Sequence, residues 1–167
     1  MKAHYQAGKF EEILSSVEAC LPKDAEGNFI TAKEKSDVVH DLLAFLAEQM
    51  LEMNKQKQQE IKGFLGWLER EMGAKVEDLT PKTKVQEYWK LQFDELLAIL
   101  KKNKRKLKDY DPARREPQER LRLEVDASLA KLQPLMERIA ATDRLIDRIV
   151  YKLYGLTEEE IGIVERN

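Results

Sequence analysis

The feature that most constrains this chain is a seven-residue apolar repeat in its C-terminal third. Val125, Leu132, Ile139, Ile146 and Leu153 stand one heptad apart, and Leu121, Leu135 and Ile149 fill the companion column. Ser128 and Thr142 are polar exceptions in that column. A strand sends alternate side chains to opposite faces, so this spacing gathers its apolar residues on one face only as a helix. Leu129, Met136 and Val150 add a third column, and a stripe that wide suits a multi-helix bundle better than a bare two-stranded coil. The pattern predicts a helix from about Gln118 to Tyr154, kinked at Pro134 and stopped by Gly155.

A second long helix is predicted upstream. Val39, Leu42, Leu46, Met50 and Met53 form one stripe, and Ile61, Phe64, Leu65, Leu68 and Met72 form another. The polar stretch 54–60 joins them. Ser36 is an N-cap candidate, with Thr31 as an earlier start. Gly73 ends the helix as a left-handed C-terminal residue. Read as one continuous helix, residues 36–72 span on the order of 55 Å, and Gly63 and Gly66 mark where it could bend.

Shorter elements complete the pattern. Phe10, Ile13, Leu14 and Val17 mark a helix from Phe10 to about Leu21, closed by Pro22. Residues 22–28 read as a turn-rich loop. Thr80-Pro81 places a proline in a first helical turn. Helical spacing then returns at Val85, Tyr88, Trp89, Phe93, Leu96, Leu97 and Leu100, as one helix or as two parted near Leu91. A loop bounded by Pro112 and Pro117 covers 109–117. The C-terminal stretch 156–167 carries a short helix from about Glu158 to Glu165, opened by a Thr157–Glu160 capping box. No strand pattern is evident. The expected fold is all-α: one helical module over 1–167, an elongated antiparallel bundle with two long coiled-coil-like helices and several shorter ones. A charged fraction of 36% beside 43% hydrophobic residues fits long solvated helices.

The chemistry of catalysis is hard to find. The two histidines, His4 and His40, have no partner at metal-ligand spacing, and His40 is read as a structural or surface residue. Gly63 and Gly66 sit within a helical pattern and make no phosphate loop. A nucleophile elbow around a serine is missing. Trp67, Trp89, Tyr88 and Phe93 are read as core or interface in preference to base-stacking platforms, and Tyr151 and Tyr154 as packing near a helix end. Cys20, the single cysteine, is read as a small buried hydrophobe and points to a reducing, cytoplasmic setting. Apolar runs are too short for a membrane span, and the first residues lack the apolar core of a signal peptide. The residues thus predict no catalytic, cofactor or metal site in this chain.

One stretch carries a functional edge. Lys101, Lys102, Lys104, Arg105, Lys106 and Lys108 crowd two helical turns, and Arg114 and Arg115 extend the run across the next loop. Such a cluster can neutralise duplex DNA phosphates and release their counterions. It would position a duplex without reading its sequence. The competing explanation is that cations near a helix C-terminus are favoured by the dipole and stay solvated. A net charge of -2 rules against nucleic-acid binding by global charge alone.

Several segments resemble one family: 36–50, 63–69, 93–104, and above all 142–161, which runs Thr142-Asp143-Arg144-Leu145-Ile146-Asp147-Arg148-Ile149-Val150-Tyr151-Lys152-Leu153-Tyr154-Gly155-Leu156-Thr157 into Glu158-Glu159-Glu160-Ile161. Together they look like the C-terminal helical part of adenine-specific DNA methyltransferases and of combined methylase–nuclease enzymes of the type IIG restriction class. The resemblance covers the chain from about Phe10 onward. It implies a fragment or separated subunit that supports DNA recognition and domain spacing in a restriction–modification system, with methyltransferase and nuclease parts in cis or in trans. S-adenosylmethionine and Mg would belong to those catalytic parts. This chain has neither their adenine-flipping motif nor their glycine-rich cofactor motif, so no catalytic residue carries over. The alternative is a stand-alone interaction protein that uses the heptads from Val125 to Leu153 to bind a copy of itself or another helical subunit.

Overall fold

The structure, a computed structural model, describes residues 1–108 and 110–166. Among them the helices are α1 (Lys2–Gln6), α2 (Phe10–Cys20), α3 (Ser36–Met72), α4 (Lys82–Gln86), α5 (Phe93–Lys102), α6 (Arg115–Tyr154) and α7 (Glu158–Val164). Single 3-10 turns lie at Val76–Asp78, Tyr88–Lys90 and Lys104–Lys106. The fold is an all-α bundle, and among the described residues extended pairing is limited to an isolated antiparallel bridge between Lys23 and Phe29. No helix among the described residues is long and apolar enough to cross a membrane.

The chain divides into two compact units. One holds Met1–Met53 and Arg138–Asn167; the other holds Asn54–Glu137. Both long helices supply residues to each.

In the first unit, Tyr5, Ile13, Leu14 and Val17 share a core with Val39, Leu42 and Leu46 from α3 and Leu145 and Ile149 from α6. Leu145 is buried where the strict heptad points to Ile146, which is half-buried. A helix with 3.6 residues per turn drifts against a seven-residue repeat, so the buried position moves by one. Thr142 is fully buried, and its hydroxyl donates to Arg138 O at 2.8 Å. That leaves its oxygen to accept the Tyr5 hydroxyl at 2.8 Å, which gives the polar exception a partner. Arg138 caps the pair by donating to Tyr5 O at 2.7 Å while lying over the Tyr5 ring. Arg148 clasps Glu11 through two bonds, and Lys152 pairs with Glu18. Gly155 stops α6 with φ of 66°, and a Cβ there would stand 3.1 Å from the Phe29 ring. Backbone freedom and close approach together require glycine at that position. Thr157 then opens α7 through the expected capping box with Glu160.

In the second unit, Ile61, Phe64, Leu68 and Met72 from α3 meet Leu121, Val125 and Leu132 from α6, with Val85, Tyr88, Leu96 and Leu100 closing the core. The long helices are antiparallel here. As α3 advances from Glu60 to Glu71, its ion-pair partner on α6 retreats from Lys131 to Arg120. Ser128 is buried and meets the Tyr88 hydroxyl at 2.5 Å, so the second polar exception is also paired. Gly73 takes φ of 61° beyond Met72, as its position in the sequence predicts.

Several boundaries differ from the sequence reading. Helix α3 spans 36–72, but Ser36 is its first helical residue instead of its cap. As the sequence predicts, α3 runs unbroken through Gly63 and Gly66, and α6 runs unbroken through Pro134. Helix α6 starts at Arg115, so Pro117 falls in its first turn, where a missing N–H sacrifices no intrahelical bond. Pro81 occupies the N-cap of α4, one residue before the helix. The segment 82–102 breaks at Leu91, the two-helix alternative. Helix α1 carried no periodic signal because it is a single turn. Cys20 is half-buried against the first core and not fully enclosed. Tyr154 is 74% exposed and packs little, whereas Tyr151 is half-buried. Asp109, read with the loop to Pro117, and Asn167, at the end of the C-terminal stretch, lie outside the described residues.

Candidate nucleic-acid interface

The basic run is a shaped turn in the second unit. Lys101 and Lys102 end α5, where cations complement the carbonyl end of the helix dipole. Asn103 then turns inward. Its side chain is buried, accepts from Thr80 N at 3.0 Å, and donates to Thr80 O at 2.8 Å and Ile99 O at 2.9 Å. The 3-10 turn Lys104–Lys106 follows, and Leu107 buries itself in the core beyond it. Lys108 N donates to Met72 O at 3.0 Å, tying the end of the run to the end of α3.

The eight candidate cations fall into two groups. Lys104 pairs with Asp111 at 2.9 Å, Lys106 donates to Asp78 O at 2.7 Å, and Arg115 pairs with Glu119 at 2.5 Å within α6. Lys104 and Arg115 spend their charge on carboxylates inside the chain, whereas Lys106 is held by a neutral backbone carbonyl and keeps its charge. The Lys104 ammonium, and after it the Ala113 N–H, hold the Asp111 carboxyl below the usual aspartate range. Lys101, Lys102, Arg105, Lys108 and Arg114 are exposed, and among the described residues none lies within salt-bridge distance of a carboxylate. The exposed cations therefore surround a backbone fixed by the buried Asn103.

The fold also gathers cations that the linear run does not contain. A cleft of about 680 Å³ is lined by Gly66, Glu69, Arg70, Gly73, Ala74, Lys75, Asp78, Lys106 and Lys108. Glu69 is committed within it, accepting from Val76 N at 2.9 Å and Lys75 Nζ at 3.1 Å. The Val76 N–H is the main cause of its lowered carboxyl pKa, with Lys75 adding to it. Arg70 and Lys75 flank the end of α3 in sequence, and the return of the chain through Lys108 to Met72 brings them beside the run. Only the cations around Gly73 hinted at this.

The aromatic candidates lie where a core reading places them. Tyr88 is buried and stacks on Phe64 with centroids 4.0 Å apart, while Trp67, Trp89 and Phe93 pack half-buried on the second core. Burial, opposed by the Ser128 hydrogen bond, pushes the Tyr88 phenol up to about 12. Among the described residues no group of three or more His, Cys, Asp or Glu side chains is placed to hold a metal ion.

No curated protein and no solved structure matches the chain. A family model described as "Domain of unknown function (DUF8810)" matches residues 31–150, which takes in α3, the basic turn and most of α6. That match spans well over half of the sequence, and the chain belongs to the DUF8810 family.

Proposed function

We propose that this chain is a non-catalytic helical module of a DNA restriction–modification system, in which it supports target recognition by holding duplex DNA through backbone contacts and by spacing the methyltransferase and nuclease parts. The observation that carries the reading is the basic turn. Lys101, Lys102, Arg105 and Lys108 are exposed on a backbone pinned by the buried side chain of Asn103. A backbone already fixed adds no ordering cost of its own when the side chains it carries meet phosphates, which favours binding. The resemblance of 142–161 to adenine methyltransferase tails supplies the setting.

The test is the salt dependence of duplex binding, read by fluorescence anisotropy. Replacing Lys101, Lys102 and Arg105 with Gln leaves the internal contacts of Lys104 and Lys106 intact. Every phosphate left without its cation should reduce the slope of log K against log salt by about 0.9, so the triple variant should flatten it by up to about 3. Equal slopes, or no binding by the parent chain at low salt, would remove DNA contact from the function.

A second reading, an interaction or oligomerisation module, draws on Leu51, Leu123 and Tyr154, which are 73%, 69% and 74% exposed. The heptad residues Leu121, Val125, Leu132 and Ile149 are buried within their own units and are not free to form a coil with another chain. Self-association would have to use other residues. Sedimentation over a range of concentrations decides it, and a Leu51→Lys or Leu123→Lys change should then dissociate the assembly.

A further inference from the structure

We propose that the cleft at the end of α3 is a seat for a single phosphate group, formed by Arg70 and Lys108 with Lys75 and Lys106 at its edge. The identity of the phosphate carrier as a nucleic-acid backbone rests on the function proposed above; the seat itself rests on the cleft.

Charge balance supports it. Four cations line the cleft against two carboxylates, Glu69 and Asp78. Glu69 is already satisfied by the Val76 N–H and by Lys75, which it spends in return. Lys106 is drawn to Asp78 O. Arg70 and Lys108 remain exposed, with no ion-pair partner within salt-bridge distance among the described residues. The C-terminal end of α3 opposes an anion, but a helix terminus is worth only about half a charge. One of its carbonyls, Met72 O, is also covered by Lys108 N at 3.0 Å. The cationic side chains therefore outweigh the dipole.

Shape supports it as well. Gly73 and Ala74 present little side chain to the cleft, so a tetrahedral oxyanion can come close to the backbone between the long cations. Arg70 is folded over Gly66, where a Cβ would stand 3.6 Å from Arg70 Nη1. From there the guanidinium can turn its paired N–H groups to two oxygens of one phosphate, the geometry for which arginine is suited. Lys108 supplies a point charge from the segment that follows the 3-10 turn Lys104–Lys106.

The test is an amide NMR titration of the whole chain with two probes, inorganic phosphate and a short DNA duplex. Phosphate should shift the Gly66, Gly73 and Ala74 amides saturably, and the duplex should shift the same three. In Arg70→Gln/Lys108→Gln, phosphate affinity should fall about tenfold or more. Both changes are on exposed side chains, and thermal melting checks that the variant is folded. Phosphate shifts without duplex shifts would keep the seat and assign it to a free phosphate-bearing small molecule. Duplex binding that needs Lys101, Lys102 and Arg105, with the three amides still under phosphate as well as under duplex, would overturn the seat while the proposed function stands. Saturable phosphate shifts unchanged in the double variant would also overturn it.

Discussion

Asn103 holds the basic turn in place, and the cost of removing it can be worked from its contacts. Asn103→Ala deletes three hydrogen bonds, two to the backbone N–H and carbonyl of Thr80 and one to Ile99 O. At about 1 kcal/mol net for each bond the upper figure is about 3 kcal/mol. Two features lower it. Thr80 is exposed, so its freed N–H and carbonyl can recover water. Ile99 O keeps the backbone N–H of Asn103 at 3.2 Å. The expected loss is therefore about 2 kcal/mol, which for a chain of this size lowers Tm by about 4–8 °C. Asn103→Asp is the sharper variant. It retains an acceptor for Thr80 N but turns a carboxylate oxygen towards the carbonyls of Thr80 and Ile99, so at neutral pH it should cost at least as much as Ala. Urea unfolding followed by far-UV circular dichroism measures both. If both variants stay within about 0.5 kcal/mol of the parent chain, in the range of ordinary surface changes, the turn is held by Leu107 and the Lys104–Asp111 pair, and the pinning argument fails.

Two further outcomes follow from the core. Tyr88→Phe or Ser128→Ala alone should cost about 1–3 kcal/mol by leaving one buried hydroxyl unpaired, whereas the double variant should cost less than the two together; strict additivity in the double-mutant cycle would show that the 2.5 Å contact contributes no bond. Burial, the leading cause for each, raises the Tyr88 and Tyr110 phenols to about 12, so their neutral forms favour the fold. That contribution is complete below the unfolded tyrosine value of about 10 and is lost as pH rises from there towards 12. In a tyrosinate absorbance titration the two should ionise only as helix content falls, and ionisation near 10 with helix retained would refute their burial.

Much of the architecture was legible because its signals are local. The apolar stripes of α3, the left-handed Gly73 and the Thr157–Glu160 box each lie within a few residues of the boundary they set. Prolines misled for a physical reason. Pro117 was read as the edge of a loop, yet the first helical turn has no use for its N–H, and α6 begins at Arg115. The candidate site was half legible. Its cations were visible as a run, but contiguity hides which charges are spent. Only contacts within the fold separate Lys104, paired with the Asp111 carboxylate, and Lys106, held by the Asp78 carbonyl, from Lys101 and Arg105. Arg70 and Lys75 joined the site through a backbone bond between residues far apart in sequence, which no local pattern encodes.

The two tyrosine–hydroxyl pairs also bear on how the bundle avoids misassembly. A heptad helix has near-equivalent alternatives, because sliding it by seven residues again presents an apolar face to the core. In the second unit such a slide would set Leu121 or Leu135 against the Tyr88 hydroxyl in place of Ser128. In the first it would set Leu135 or Ile149 against Tyr5 in place of Thr142. Each substitution would bury a phenol with nothing to bond, at a cost of about 1–3 kcal/mol, while apolar burial would change little. The polar interruptions thus act as index marks that tell the native alignment of α6 from its nearest impostors. A chain with both replaced by leucine would keep its stripe and lose its ruler.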